Sequence, residues 1–195
     1  MKHIKNDQRA IRSAEAIYAA LAELMEDSAF QTIMVSQLVE QAQIGRATFY
    51  RNFDGLEDVL QWRSDQIVEE FFVYLADYRQ KNQLSSMLPF LKPILRFFYL
   101  NSDVVELLIK ANRVDILQQA VHERVVKISR VLGPMLGIPT SALEYGPVIR
   151  SGVMMSVLVH WIKGGKRETP DELADALEVT LQKLREFNAT QGHDL

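Results

Sequence analysis

The chain has 195 residues, 48% of them apolar, and a formal net charge of −3. This length fits one medium-sized domain or a small domain joined to a larger one, and the apolar fraction allows a sizeable core. The absence of cysteine excludes a disulfide framework, a thiolate zinc site and a cysteine nucleophile. The N-terminus lacks the apolar stretch of a signal peptide. The longest apolar stretch, 152–162, is too short to span a bilayer. We therefore expect a cytoplasmic protein without a membrane partner.

Positive charge is concentrated in two places despite the negative total. Residues 1–13 carry Lys2, Lys5, Arg9 and Arg12 against the single acid Asp7, and residues 45–53 carry Arg46 and Arg51 with no acid. Local charge matters more than net charge for phosphate binding, because the attraction falls off over a Debye length. The charge distribution therefore permits DNA binding without arguing for it.

Residues 7–78 predict four helices. Apolar residues at helical spacing indicate a first helix over about 7–27 and a short second helix over about 35–42. Residues 46–52 predict a third short helix, and 56–78 predict a long fourth one.

The remainder of the chain, after residue 78, predicts five more helices. Ser85-Ser86 can cap a helix in which Pro93 introduces a kink or a restart. A short helix follows over 104–111, and another runs from about 115 to 132. Gly133-Pro134 is expected to stop the latter. The S/T-x-x-E patterns at Ser141 and Thr169 predict capping boxes for the last two helices, with Gly164-Gly165 between them. With no strand-like alternation, we predict an all-α fold of about nine helices.

The segment 34–53 predicts two short helices joined by a tight turn, which is a helix-turn-helix. Its apolar positions are expected to pack onto the first helix; they are Leu38, Val39, Ala42, Ile44, Phe49 and Phe53. The remaining side chains of the third helix then point outward together; they are Arg46, Ala47, Thr48, Tyr50 and Arg51. Guanidinium, hydroxyl, methyl and phenol groups on one face suit a DNA major groove.

This segment resembles the DNA-binding module of the TetR family of transcriptional regulators. The residues in register with the family pattern are Leu38, Val39, Ala42, Ile44, Arg46, Thr48, Phe49, Tyr50, Phe53, Glu57 and Leu60. A second stretch, 145–165 with 169–173, is similar to the last two helices of that family, which form its dimer interface. The resemblance implies a DNA-binding domain over 7–67 and a ligand-binding and dimerisation domain over 68–195. It also implies a homodimer on a near-palindromic operator, a small-molecule effector and repression.

The resemblance assigns DNA contacts, and the sequence departs from the family at three positions. The expected contacts are Ser36, Gly45, Arg46, Ala47, Thr48, Tyr50, Arg51 and Gly55. Gln43 replaces the turn glycine and must adopt a left-handed conformation. Gly45 replaces the serine that caps the recognition helix, and Leu56 replaces a phosphate-binding lysine, although Gly55 can still offer a backbone amide.

The C-terminal half yields a dimer prediction and a pocket prediction. Gly152 and Ser156 would let a second helix come close, and the remaining predicted interface residues are Met155, Val159, Leu177 and Leu181. A ligand pocket is predicted at Phe90, Phe97, Met154 and Trp161, although such residues at helical spacing are more often core.

Catalytic and metal-binding functions find little support in the sequence. His122 and His160 lie on different predicted helices without partners at metal-ligand spacing, so we expect no metal and no cofactor. No phosphate loop, dinucleotide glycine pattern, nucleophile elbow or zincin motif occurs, so we expect no enzyme. Two alternatives remain open at this point: an architectural or effector-independent DNA-binding protein, and a non-catalytic helical interaction protein.

Overall fold

The fold is all-α, as the sequence predicts. A computed structural model describes residues 8–82, 91–135 and 137–191, and within these ranges it contains nine α-helices and no strand. The helices are α1 (Gln8–Asp27), α2 (Val35–Gln41), α3 (Arg46–Asn52), α4 (Leu56–Asn82), α5 (Leu91–Leu100), α6 (Ser102–Lys110), α7 (Val114–Met135), α8 (Thr140–Lys163) and α9 (Pro170–Gln191). The predicted cap at Ser85-Ser86 lies outside the described residues.

Helices α1, α2 and α3 pack on one another around a small apolar core. The large side chains with no exposed surface here are Ile17, Leu21, Leu38, Phe49 and Phe53. A single 3-10 turn, Phe30–Thr32, joins α1 to α2 and buries the Phe30 ring. Because each short helix contributes large side chains to this core, the orientation of α3 is fixed by packing.

Helix α4 connects this core to the remainder of the chain. It packs against α1 at one end and against α5, α6 and α7 along its length. It extends to Asn82, four residues beyond its predicted end, and runs unbroken through the predicted domain boundary at 67/68. That boundary stays a prediction, and α4 belongs to both of the predicted domains.

The C-terminal helices form two packed pairs, α7 with α8 and α5 with α9. Pro93 is buried within α5, two residues after Leu91, the first described residue of that helix. The residues before Leu91, where a restart of the helix at Pro93 would be seen, lie outside the described residues. Across the α5–α9 pair, the Arg96 guanidinium donates two hydrogen bonds to the Asp171 carboxylate, at 2.8 and 2.6 Å. Lys92 also pairs with Asp175 at 2.6 Å.

The structure corrects the predicted boundaries of α7 and α8. Gly133-Pro134 does not stop α7, which continues to Met135, because Gly133 is buried where a Cβ would collide with Leu143 of α8. The Ser141 capping box does not start α8, which begins at Thr140 after Pro139. The Thr169 box is confirmed: Thr169 N donates to Glu172 Oε2 at 2.8 Å, and Glu172 N donates to Thr169 Oγ1 at 3.3 Å.

Candidate nucleic-acid interface

Helix α3 presents one polar and cationic face to solvent. Its bounds, Arg46–Asn52, are those that the sequence predicts. Phe49 is fully buried and lies 5.9 Å, ring centre to ring centre, from the fully buried Phe53 just after the helix. These two rings anchor the inner side, so the opposite side is open to a ligand; its exposed residues are Arg46, Ala47, Tyr50 and Arg51. Thr48 is half-buried.

The turn between α2 and α3 has the strained backbone that the sequence predicts. Gln43 has a φ of 53°, in the left-handed region that glycine usually occupies. The backbone N–H of Ile44 donates to the carbonyl of Val39 at 3.0 Å, which closes the turn. Gly45 then precedes α3 with an extended backbone and no side-chain cap, so the first amides of α3 stay available for an anionic ligand.

The remaining predicted contacts flank this face. Ser36 is half-buried in the first turn of α2, where Gln37 Oε1 accepts a hydrogen bond from the Met34 amide at 2.8 Å. Gly55 directly precedes α4 and has open space around it. Within the described ranges, neither Arg46 nor Arg51 forms an ion pair with an acid. Both guanidinium groups are therefore available to phosphates or base edges.

A second set of contacts joins this domain to the turn between α6 and α7. Lys110 Nζ donates to the carbonyl of Glu26 at 3.3 Å, and Gln31 Nε2 donates to the carbonyl of Ala111 at 3.2 Å. Arg113 also pairs with Glu57 in the first turn of α4. Sequence reasoning missed these contacts, because they join residues more than fifty positions apart and follow no helical period.

The Tyr18 ring fills the junction of α1 and α4. Burial raises the pKa of the Tyr18 phenol to about 12, and the nearby Asp103 carboxylate adds to this rise. The Arg63 guanidinium lies 6.0 Å from the ring centre and also pairs with Glu70 at 3.0 Å. A small open cavity lies beside the ring, lined by Ile11, Glu15, Tyr18, Trp62, Arg63, Gln66 and Glu70.

The residues predicted for the dimer interface differ in how far they are buried within their own chain. Ser156 is exposed and Gly152 is half-buried, with open space where a Cβ would be. Met155 is only 3% exposed and belongs to the core of its own chain. The other predicted residues, Val159, Leu177 and Leu181, are half-buried. The large exposed apolar residues of α8 instead lie between positions 145 and 153; they are Tyr145, Val148, Ile149 and Val153.

The residues predicted for a ligand pocket are mostly packed in the core. Phe97 is 8% exposed and contacts the Phe71 ring at 5.3 Å, and Trp161 is 4% exposed and stacks on Tyr99 at 5.9 Å. Met154 is half-buried, and Phe90 lies outside the described residues. Of the three described residues, none lines the cavity at Tyr18 or the cleft between α7 and α8. That cleft is lined by Asp115, Gln118, Gln119, His122, Val148 and Ser151.

The described ranges hold neither a metal cluster nor a membrane-spanning helix. Within them, no group of three or more His, Asp or Glu side chains is placed to hold a metal ion. No helix in these ranges is long and apolar enough to cross a membrane.

Comparison with known proteins identifies one relative whose function is named. No protein-family model matches the chain. The HTH-type dhaKLM operon transcriptional activator DhaS of Lactococcus lactis is 31% identical over 87 residues, which are 44% of this chain and 46% of that protein. The chain is a distant relative of a helix-turn-helix transcriptional regulator. The match spans about half the length of this curated relative.

The same fold occurs in a solved structure. The crystal structure of Lin0861 from Listeria innocua matches with a TM-score of 0.75 and 19% identity, covering 92% of this chain and 94% of that one. At this identity the match describes the fold alone. The relative and the exposed face of α3 together support the assignment of the chain as a DNA-binding regulator. Proteins of this class are generally not enzymes.

Proposed function

We propose that this protein is a sequence-specific DNA-binding transcriptional regulator of the TetR type. The observation that carries the proposal is the geometry of α3, where buried Phe49 and Phe53 hold Arg46, Tyr50 and Arg51 on one exposed face. An exposed helix face of this kind, following a tight turn, is the arrangement that reads the major groove in helix-turn-helix proteins. Tyr50, which is 54% exposed, is suited to a backbone phosphate.

The regulator acts as a homodimer in this proposal, paired through α8 and α9. Exposed apolar residues run along α8 at Tyr145, Ile149 and Val153, and α9 adds Leu184 and Phe187. A monomer rarely exposes a large contiguous apolar patch. Pairing these helices with their symmetry mates would form an isologous four-helix interface. Gly152 and Ser156 stay in the proposed interface as points of close approach, whereas the buried Met155 is left out.

Whether the regulator represses or activates transcription is a separate part of the proposal. The TetR resemblance favours repression by a ligand-responsive protein, whereas the relative from Lactococcus lactis is named as an activator. Both modes use the same DNA-binding face. A reporter gene placed behind the bound DNA sequence distinguishes them, because deletion of the regulator raises expression under repression and lowers it under activation.

The test of DNA binding is selection of duplexes from a random pool by the full chain. The wild-type protein is expected to enrich a defined sequence, and the double variant Arg46→Ala, Arg51→Ala is expected to enrich none. Arg167→Ala removes an exposed arginine from the loop between α8 and α9 and serves as the matched control. Equal enrichment by the wild type and the double variant would show that α3 does not read DNA.

A further inference from the structure

A cavity lies between α1 and α4, next to the core of the helix-turn-helix. We call it the Tyr18 cavity, and its volume is about 260 Å³. This volume lies below the range of sites for drug-sized ligands, so it suits a small molecule. The lining residues are Ile11, Glu15 and Tyr18 of α1 and Trp62, Arg63, Gln66 and Glu70 of α4. Residues three and four positions apart share one helix face, so the cavity is formed by two neighbouring helix faces.

Two aromatic rings form the inner part of the Tyr18 cavity. Trp62 is only 6% exposed, and its ring lies edge-on to the fully buried Phe53 ring at a centre-to-centre distance of 6.4 Å. Tyr18 is half-buried. Burial raises the pKa of the Tyr18 phenol to about 12, so this ring carries no charge at neutral pH. The floor of the cavity is therefore an uncharged aromatic surface, held in place by the packed core beneath it.

The indole N–H of Trp62 has no acceptor among the described residues. The nitrogen is not one of the fully enclosed polar atoms, so it keeps accessible surface although the side chain as a whole is buried. The other tryptophan, Trp161, is buried to a similar extent, and its Nε1 donates to the carbonyl of Glu168 at 3.1 Å. Buried tryptophans usually have such a partner. The Trp62 N–H is therefore available to an acceptor on a ligand in the cavity that Trp62 lines.

The charges of the lining favour a cation. Glu15 and Glu70 are exposed at the rim, and Arg63 is half-buried between α1 and α4. Arg63 pairs with Glu70 at 3.0 Å and lies 6.0 Å from the centre of the Tyr18 ring, whereas Glu15 has no ion pair within the described ranges. Two carboxylates against one guanidinium repel an anion, and the faces of aromatic rings attract a cation.

We propose that the Tyr18 cavity binds a small organic cation that also carries a hydrogen-bond acceptor, as amino alcohols do. The cationic group lies against the rings of Tyr18 and Trp62 beside the Glu15 carboxylate, and the ligand oxygen accepts a hydrogen bond from the Trp62 N–H. This site is distinct from the pocket that the sequence predicts at Phe97, Met154 and Trp161. It does not depend on the proposed DNA-binding function.

Binding is tested by tryptophan fluorescence on the full chain without DNA, with choline chloride as the probe. The chain has two tryptophans, so Trp161→Phe leaves Trp62 as the only one. In this variant choline should change the Trp62 emission in a saturable way, and sodium chloride at equal ionic strength should not. Isothermal titration calorimetry of choline into the wild type should give the same affinity, and it provides the measurement if Trp161→Phe does not fold.

Two further probes separate the charge of choline from its hydroxyl group. Dimethylbutanol, the uncharged carbon isostere of choline, should bind at least about fivefold more weakly, because it lacks the attraction between a cation and the rings. Tetramethylammonium keeps the charge without the hydroxyl group and should bind about threefold more weakly than choline, because one hydrogen bond is lost. In Trp62→Phe the ring remains but the N–H is absent, so choline and tetramethylammonium should bind equally.

A pair of variants on α1 tests the position of the site. Glu15→Gln should weaken choline binding about threefold, a modest loss because the carboxylate is exposed. Glu26→Gln removes an exposed acid of the same helix that does not line the cavity, and it should leave binding unchanged.

Three results would overturn the site. They are no saturable response to choline by either method, binding of dimethylbutanol as tight as that of choline, and equal choline affinities of Glu15→Gln and Glu26→Gln. Equal affinities of the wild type for choline and tetramethylammonium would overturn the hydrogen bond from Trp62.

Discussion

Substitution of Val153 by glutamate is expected to convert the protein from a dimer to a monomer. Val153 is 56% exposed on α8, so dimerisation would bury about half of its side chain. Full burial of a valine side chain contributes about 1.5 kcal/mol of free energy. A two-fold interface contains the residue twice, which gives about 1.6 kcal/mol in lost burial. Desolvation of two carboxylates adds several kcal/mol. The total of at least about 4 kcal/mol corresponds to a roughly 1000-fold weaker dimer.

The assay is molar mass by light scattering across a micromolar concentration series. Val73→Glu is the matched control, because Val73 is 59% exposed on α4, which is not part of the proposed interface. The wild type and Val73→Glu should both have twice the chain mass, and Val153→Glu should have the chain mass with an unchanged helical circular dichroism spectrum. A monomeric wild type, or a Val153→Glu protein that remains dimeric, would refute the interface.

Three further outcomes follow from the described contacts. Arg46→Ala should weaken binding to the selected DNA by about 1–3 kcal/mol without lowering the melting temperature, and a large loss of thermal stability would refute the assignment of this side chain to an exposed face. Phe49→Ala should cost about 3–5 kcal/mol in denaturant unfolding, whereas Tyr50→Ala should leave stability nearly unchanged, and equal costs would contradict the burial pattern. Burial raises the pKa of Tyr18 to about 12, so the folded state binds more protons than the unfolded state between pH 10 and 12. Stability should therefore fall across this window by about 2–3 kcal/mol more in the wild type than in Tyr18→Phe, and parallel pH curves would contradict it.

The helix-turn-helix could be predicted from sequence almost residue by residue. The bounds of α3 agree with the prediction, and Gln43 adopts the predicted left-handed conformation. Two physical reasons explain this agreement. The inward and outward residues of α3 alternate at helical spacing, and large aromatic residues on one side leave only one face free for the arginines.

The faces of α8 and the end of α7 could not be predicted in the same way. Helix α8 carries apolar residues all around its circumference, so periodicity does not identify which of them the chain buries itself; Met155 is buried, whereas Ile149 and Val153 are exposed. Gly133-Pro134 is a strong local stop signal, but close packing of α8 against α7 outweighs it. The α7–α8 cleft and the pairing of Arg113 with Glu57 depend on contacts between distant segments and have no signal in local sequence.

The symmetry of the selected DNA tests the central claim most directly. A homodimer with equivalent recognition helices should enrich a near-palindromic sequence, with half-site centres about 34–36 Å or more apart, and its binding should weaken steeply with added salt. Dimethyl sulfate footprinting on the selected duplex should then show two protected major-groove patches related by the two-fold axis. Enrichment of a single asymmetric site protected in one patch, or of no sequence at all, would contradict the account.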